Sequence, residues 1–350
     1  MKDCDVVVVG AGVMGSATAW WLAGSGVETV LLEQFEQGHN RGSSHGSTRI
    51  FRLAYPDPAY MGMARQALPM WRELEDSSGS QLLLTTGGID YGDSSSVSDI
   101  VDALVRTGVT HEIVDASEAA RRWPGFSFDG TVVYQPDAGR ISADAAVRAL
   151  QHHAHVRGSD VRFGEPVRAL TPHGDDSVVV STDVGQYRAR TVVVTAGAWA
   201  SGLVAGLMDL PPLTVTREQV FHFQPRAAGT PWPAFIHHGD SFIYGLETPG
   251  GEGVKVAEHH TGTVTTADGR SFDVDEAGRD RVIEHVKTAM PGLDPTPTSA
   301  TTCLYTNTPD ESFVIERRGR VVVGSACSGH GFKFAPLIGR RLAQLATQPG

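Results

Sequence analysis

Residues 5–9 read DVVVV, an apolar run too short for a helix and uniform enough for a strand covered on both faces. The run breaks at GAGVMG. SATAWWLAGSG then places small and apolar residues at helical spacing until Gly24 and Gly26 stop it. ETVLLE predicts a second strand that ends in Glu33. Further along, residues 144–158 (DAAVRALQHHAHVRG) and 278–290 (GRDRVIEHVKTAM) show the periodicity of amphipathic helices, the second closed by Pro291-Gly292. VRFGEPVRAL and VVVSTDVGQYRARTVVVTAG read as strands with Gly185 in a turn. VFHFQP and SFIYGLE alternate apolar and polar positions, as antiparallel strands with one covered face do. GDSSSVSD (92–99) reads as a loop or the start of a helix, and IGRRLAQLATQPG as a closing helix.

Strand, glycine turn, helix, second strand and terminal acid form one unit with a known use. Gly10 permits the tight turn, Gly12 admits a pyrophosphate close to the backbone, and Gly15 lets helix and strand approach. The helix N-terminus offers open N–H groups to the anion. Glu33 is placed to accept hydrogen bonds from a ribose, which favours FAD or NAD over NADP.

Length and charge narrow the setting. A chain of 350 residues suits two domains. A net charge of −11 opposes polyphosphate, so nucleic acid is not an expected partner. Cys4, Cys303 and Cys327 are too few and scattered for a disulfide framework or a zinc site, and no metal is expected. The opening MKDCDVVVVGAGVMG lacks the basic region of a secretion signal, and no stretch is long and apolar enough to span a bilayer. A cytoplasmic monomer without a membrane partner is expected.

The segment after Glu33 separates FAD from NAD. Residues 37–55, QGHNRGSSHGSTRIFRLAY, are too polar for core and too long for a plain connection. Ile50, Phe51, Leu53 and Ala54 interleave with Arg49 and Arg52, the pattern of a partly buried segment whose charges face something. GSSHGSTRIFRLAY resembles the flavin-lining segment of the monomeric sarcosine oxidase and N-methyltryptophan oxidase family, among the D-amino-acid-oxidase-like flavoproteins. TVVVTAGAWAS (191–201), TTCLYTNTPDESFVI (301–315) and SGHGFKFAPLIG (328–339) resemble three later family segments in the same order.

The resemblance implies an α/β fold: a Rossmann-like FAD-binding domain beside a second, mostly antiparallel substrate domain. The motifs place the first in residues 1–85, 143–210 and 295–350, and the second in 86–142 and 211–294. It further implies that the backbone near Val167 meets the adenine, that Gly329 and Gly331 let the last loop approach the flavin, and that Cys303 carries the flavin covalently. Read alone, Cys303 is an ordinary buried cysteine.

Lys255 alternates with Val254 and Val256, so on a strand it faces away from both. By itself that describes a solvent-facing lysine. The resemblance implies a lysine over the flavin that promotes reaction with oxygen, with His259 nearby. Arg52 and Lys333 are the candidates for a substrate carboxylate, since an arginine offers two parallel hydrogen bonds and a lysine adds a point charge. Thr48, Arg49 and His45 are expected along the flavin ring, Tyr244 and Tyr305 as walls, and Phe235 as a determinant of pocket size.

The reaction implied is oxidation of a secondary amine, such as sarcosine or another N-methyl amino acid, to an imine that water hydrolyses, with oxygen reduced to hydrogen peroxide. No carboxylate base stands out, so the amine is expected to lose its proton on binding. Cyclic or sugar-modified amino acids fit the same pattern. So do a flavin dehydrogenase with a structural Lys255 and a non-catalytic nucleotide-binding subunit.

Overall fold

The computed structural model describes residues 1–349. Lys2–Val9 lies in parallel between Thr29–Leu32 and Gln186–Val194, and Asp160–Arg162 extends the sheet beyond Thr29–Leu32. Alternate residues of the first strand serve different cores. Val6 and Val8 pack on one side of the sheet, Val7 and Val9 on the other, which is why the run is apolar without alternation. Helices Val13–Gly24, Ala143–Val156 and Ala335–Thr347 pack together on the first side.

Gln186–Val194 changes partner along its length. Its first half pairs with the antiparallel meander Ser177–Thr182 and Val167–His173, its last residues with Val321–Ser325 in parallel. The sheet so formed is the Rossmann-like half expected from the sequence.

The second sheet is antiparallel except where Gly88–Gly92 runs parallel to Ala234–His238. Val254, Val256, Phe221, Phe223 and Phe235 form its core with Val282 and Val286 of helix Glu276–Ala289. Ser299–Asn307, expected with the cofactor unit, pairs along its whole length with Thr214–Phe223 of this sheet. That continuous ladder satisfies its backbone, and the chain rejoins the first sheet only at Val314–Arg318.

Thr48–Phe51, Gly139–Ser142 and Leu83–Thr85 form a small third sheet. One helix is not evident from the sequence pattern, and a second decides between the two readings of residues 92–99. Pro58–Ser78 starts at Asp57, whose carboxylate accepts from Ala59 N at 2.7 Å, but Pro69 lies inside it and masks the helical pattern. Ser94–Thr107 opens at Asp93, which accepts from Ser96 N at 2.9 Å, so the serine-rich stretch is a capped helix start. No helix among the described residues is long and apolar enough to cross a membrane.

Candidate active site

The two sheets share one cavity of about 800 Å³. At one end the first strand turns through Gly10, at φ 96°, into the helix that Gly12 precedes. Gly12 supplies no side-chain cap, which leaves first-turn amides for a ligand, apart from Val13 N, which donates to Ser44 Oγ at 3.0 Å. Gly15 lies outside the wall. A Cβ there would meet the Gly10 carbonyl and Thr195 Oγ1, so its role is close packing, as its spacing predicts. Glu33 is buried yet lines the cavity, and its carboxylate accepts from Ala11 N at 2.8 Å and Phe35 N at 3.2 Å. Its two oxygens retain acceptor capacity for a ribose. Val167 lines the same end.

Lys255 faces the other end, 5% exposed, while Val254 and Val256 point into the core of the second sheet. Its Nζ donates to the Thr48 carbonyl at 2.6 Å. Burial, reinforced by the neighbouring Arg49 guanidinium, pushes it down to about 7. Thr48 acts through that carbonyl; its side chain is buried without a partner and does not reach the wall. Arg49 is tied to the carbonyls of Thr48, Ser43 and His45 at 2.7–2.8 Å, which folds the polar segment back on itself. His45 Nε2 is buried in the wall with no hydrogen-bond partner.

Arg52 and Lys333 meet on one stretch of wall through a residue that sequence reading missed. The Arg52 guanidinium lies 4.5 Å from the Tyr55 ring centre, and Lys333 Nζ donates to Tyr55 Oη at 2.6 Å and to the His330 carbonyl at 2.8 Å. Burial and the Arg52 charge hold Lys333 well below the usual lysine range. A negative charge placed beside it would reverse that shift, because an opposite charge favours the ammonium form. Tyr244 and Tyr305 bring their hydroxyls to 3.4 Å, and His259 Nδ1 lies 3.3 Å from the Tyr305 hydroxyl.

Cys303, half-buried, lines the cavity opposite Glu218 on the paired strand. Burial pushes its thiol up, and Arg49 pulls it partly back. Gly329, at φ 72°, has no room for a Cβ between His259 and Tyr305, and a Cβ on Gly331 would strike the Ala326 carbonyl. Phe235 does not shape the pocket. It is fully buried in the second core, and its neighbour Ile236 lines the cavity instead, as strand alternation requires. Asp90, a lone acid in the apolar GGIDYG, was the available signal for further polar machinery behind Arg52.

Several histidines are buried in neutral form. Burial pushes His45 and His330 down to about 3 and His285 to about 4. Unfolding restores an ordinary histidine that takes up a proton near pH 6.5. Since the folded pKa values are depressed, the unfolded chain binds more protons below pH 6.5, and stability falls with pH there. The melting temperature is expected to drop from pH 7 to 5, and His285→Phe, away from the cavity wall, to flatten that slope.

The turn at Gly10, Glu33, the open helix start and the unpartnered His45 nitrogen fit a dinucleotide whose ring system reaches the second sheet. Together with the cationic wall they define a dinucleotide-dependent oxidoreductase of two sheets. The chain belongs to the DAO family of FAD-dependent oxidoreductases, whose model matches residues 5–345. Monomeric sarcosine oxidase from Streptomyces avermitilis is 35% identical over 360 residues, covering 98% of this chain and 93% of that protein. Human peroxisomal sarcosine oxidase is 34% identical over 363 residues, with 98% and 92% covered. The solved structure of NikD, an amino acid oxidase essential for nikkomycin biosynthesis, superposes with a TM-score of 0.90 at 28% identity, covering 99% of this chain and 95% of that one. The cofactor is therefore FAD, as the resemblance implied.

Proposed function

We propose that the protein oxidises an N-methyl amino acid such as sarcosine to its imine, which water hydrolyses to an aldehyde and a primary amine, and that oxygen is converted to hydrogen peroxide. One observation carries the reading: Arg52 and Lys333, far apart in sequence, converge through Tyr55 on the cavity that holds the dinucleotide turn. The similarity to sarcosine oxidases supports it.

FAD, when bound, supplies the two-electron acceptor. Gly10, Gly12 and Glu33 hold its pyrophosphate and ribose, Val167 the adenine, and Gly329 and Gly331 the ring. Arg49 and His45 border the ring, and the Thr48 carbonyl anchors Lys255. Arg52 and Lys333 grip the substrate carboxylate and so aim the carbon next to nitrogen. Tyr244, Tyr305 and His259 wall the amine and exclude water. Lys255 holds a positive charge where negative charge builds on oxygen. A buried lysine in this place favours an oxidase over a dehydrogenase.

Cys303 is the proposed attachment point for the flavin. Acid-precipitated wild-type protein is expected to keep its yellow colour in the pellet, and Cys303→Ala to release it to the supernatant. Colour released by the wild type removes the covalent assignment. A peroxide assay across N-methyl, cyclic and primary amino acids tests the activity: flavin reduction without oxygen uptake rejects the oxidase. The three unpaired cysteines support a reducing, cytoplasmic setting, and the small number of exposed large apolar side chains among the described residues supports a monomer.

A further inference from the structure

Arg52 is held from behind. Its Nη1 donates to Asp90 Oδ1 at 3.2 Å, and Asp90 is only 1% exposed. A carboxylate this far from water needs its acceptor sites filled. His238 Nε2 lies 3.0 Å from the same oxygen, and Gln135 Nε2 donates to the other at 3.0 Å. The sheet makes this possible. Gly88–Gly92 runs between Val132–Gln135 and Ala234–His238, with Gln135 opposite Gly88 and His238 opposite Gly92. Residues 88, 90 and 92 share a face, so all three side chains meet on it.

Gln135 has a second set of contacts. Its Oε1 accepts from Leu53 N at 3.1 Å and Ala54 N at 2.6 Å, the two residues directly after Arg52. Asp90 thus grips Arg52 twice, at the guanidinium directly and at the main chain through Gln135. The Tyr55 ring fixes the remaining freedom of the fork. Neither Asp90 nor Gln135 lies in the cavity wall.

We infer that Asp90 is a positioning residue that, with Gln135, aims the Arg52 fork at the substrate carboxylate; this rests on the carboxylate role proposed for Arg52 above. The sign of the effect separates positioning from bare electrostatics. Asp90 is negative, so if charge alone mattered, Asp90→Asn would tighten the binding of an anion. If it positions Arg52, the freed fork must be ordered at each binding event and the anion binds more weakly.

The test uses the FAD-loaded enzyme titrated with propionate, followed by the change in flavin absorbance, with uncharged propionamide as control. Asp90→Asn is expected to weaken propionate about tenfold, to leave propionamide unchanged, and to add less than about twofold in an Arg52→Met background. Gln135→Met cuts the main-chain half of the grip and is expected to weaken propionate about threefold, which keeps the test alive if Asp90→Asn does not fold. Unchanged or tighter propionate binding in the single variants overturns the inference, as does a full tenfold loss that persists without Arg52. If Arg52→Met alone leaves propionate binding unchanged, the carboxylate role of Arg52 fails first, on a separate measurement, and the inference falls with it.

Discussion

Lys255→Met is expected to slow reoxidation of the substrate-reduced enzyme by oxygen about 10²–10³-fold, the loss typical when one preorganised charge is removed from where charge develops. Reduction of the flavin by substrate should change far less. Methionine keeps the volume and removes only the ammonium group. Stopped-flow mixing of the reduced enzyme with oxygen measures the first rate, and anaerobic mixing with substrate the second. Reoxidation at the wild-type rate would make Lys255 structural and leave the dehydrogenase reading standing. The same residue sets a pH dependence. Burial pushes Lys255 down to about 7, so the charged form is lost as pH rises. Beside a negatively charged reduced flavin, Lys255 would keep its proton to higher pH. Reoxidation is therefore expected to fall with rising pH, with a midpoint at or above about 7, and to be flat in Lys255→Met.

Arg52→Met is expected to lower kcat/KM for a carboxylate-bearing amine by about 30- to 5,000-fold, the range for removing one partner of a desolvated, hydrogen-bonded charge pair. The fall should be smaller for an N-methyl amine without a carboxylate, which never used the fork. The substitution also leaves Asp90 with one partner fewer, so the melting temperature and flavin content belong beside the kinetics. An equal fall for both amines would mean that Arg52 orders the cavity and does not bind the carboxylate.

Much of the cofactor half was legible from local order. Gly10, Gly12, Gly15 and Glu33 lie within one strand–helix–strand unit, so their spacing along the chain nearly equals their arrangement in space. The orientation of Lys255 was legible too, because alternation on a strand carries it away from Val254 and Val256. The same rule applied to Phe235 and Ile236 would have shown that only one of them could face the pocket. Helix Pro58–Ser78 escaped because Pro69 interrupts its pattern while tertiary packing of Met61, Ala64, Trp71 and Leu74 holds it.

By itself the sequence determined the dinucleotide turn, the parallel core around it, the two-sheet plan and the residue types that the chemistry needs. The turn arises from contacts between near neighbours in the chain, where period and glycine spacing act directly, whereas the parallel core and the two-sheet plan, which join distant strands, were legible through strand patterns and the order of the family-like segments. Only the tertiary structure decided what stands behind those residues. Strand Ser299–Asn307 joins the second sheet because nine residues of Thr214–Phe223 are there to pair with it. Tyr55 links Arg52 to Lys333 because the segment after Thr48–Phe51 packs against the Gly331–Phe334 turn, and Asp90 meets Gln135 and His238 because three strands distant in sequence lie side by side. A buried charge is stable only with such partners, and which partners reach it depends on the fold as a whole.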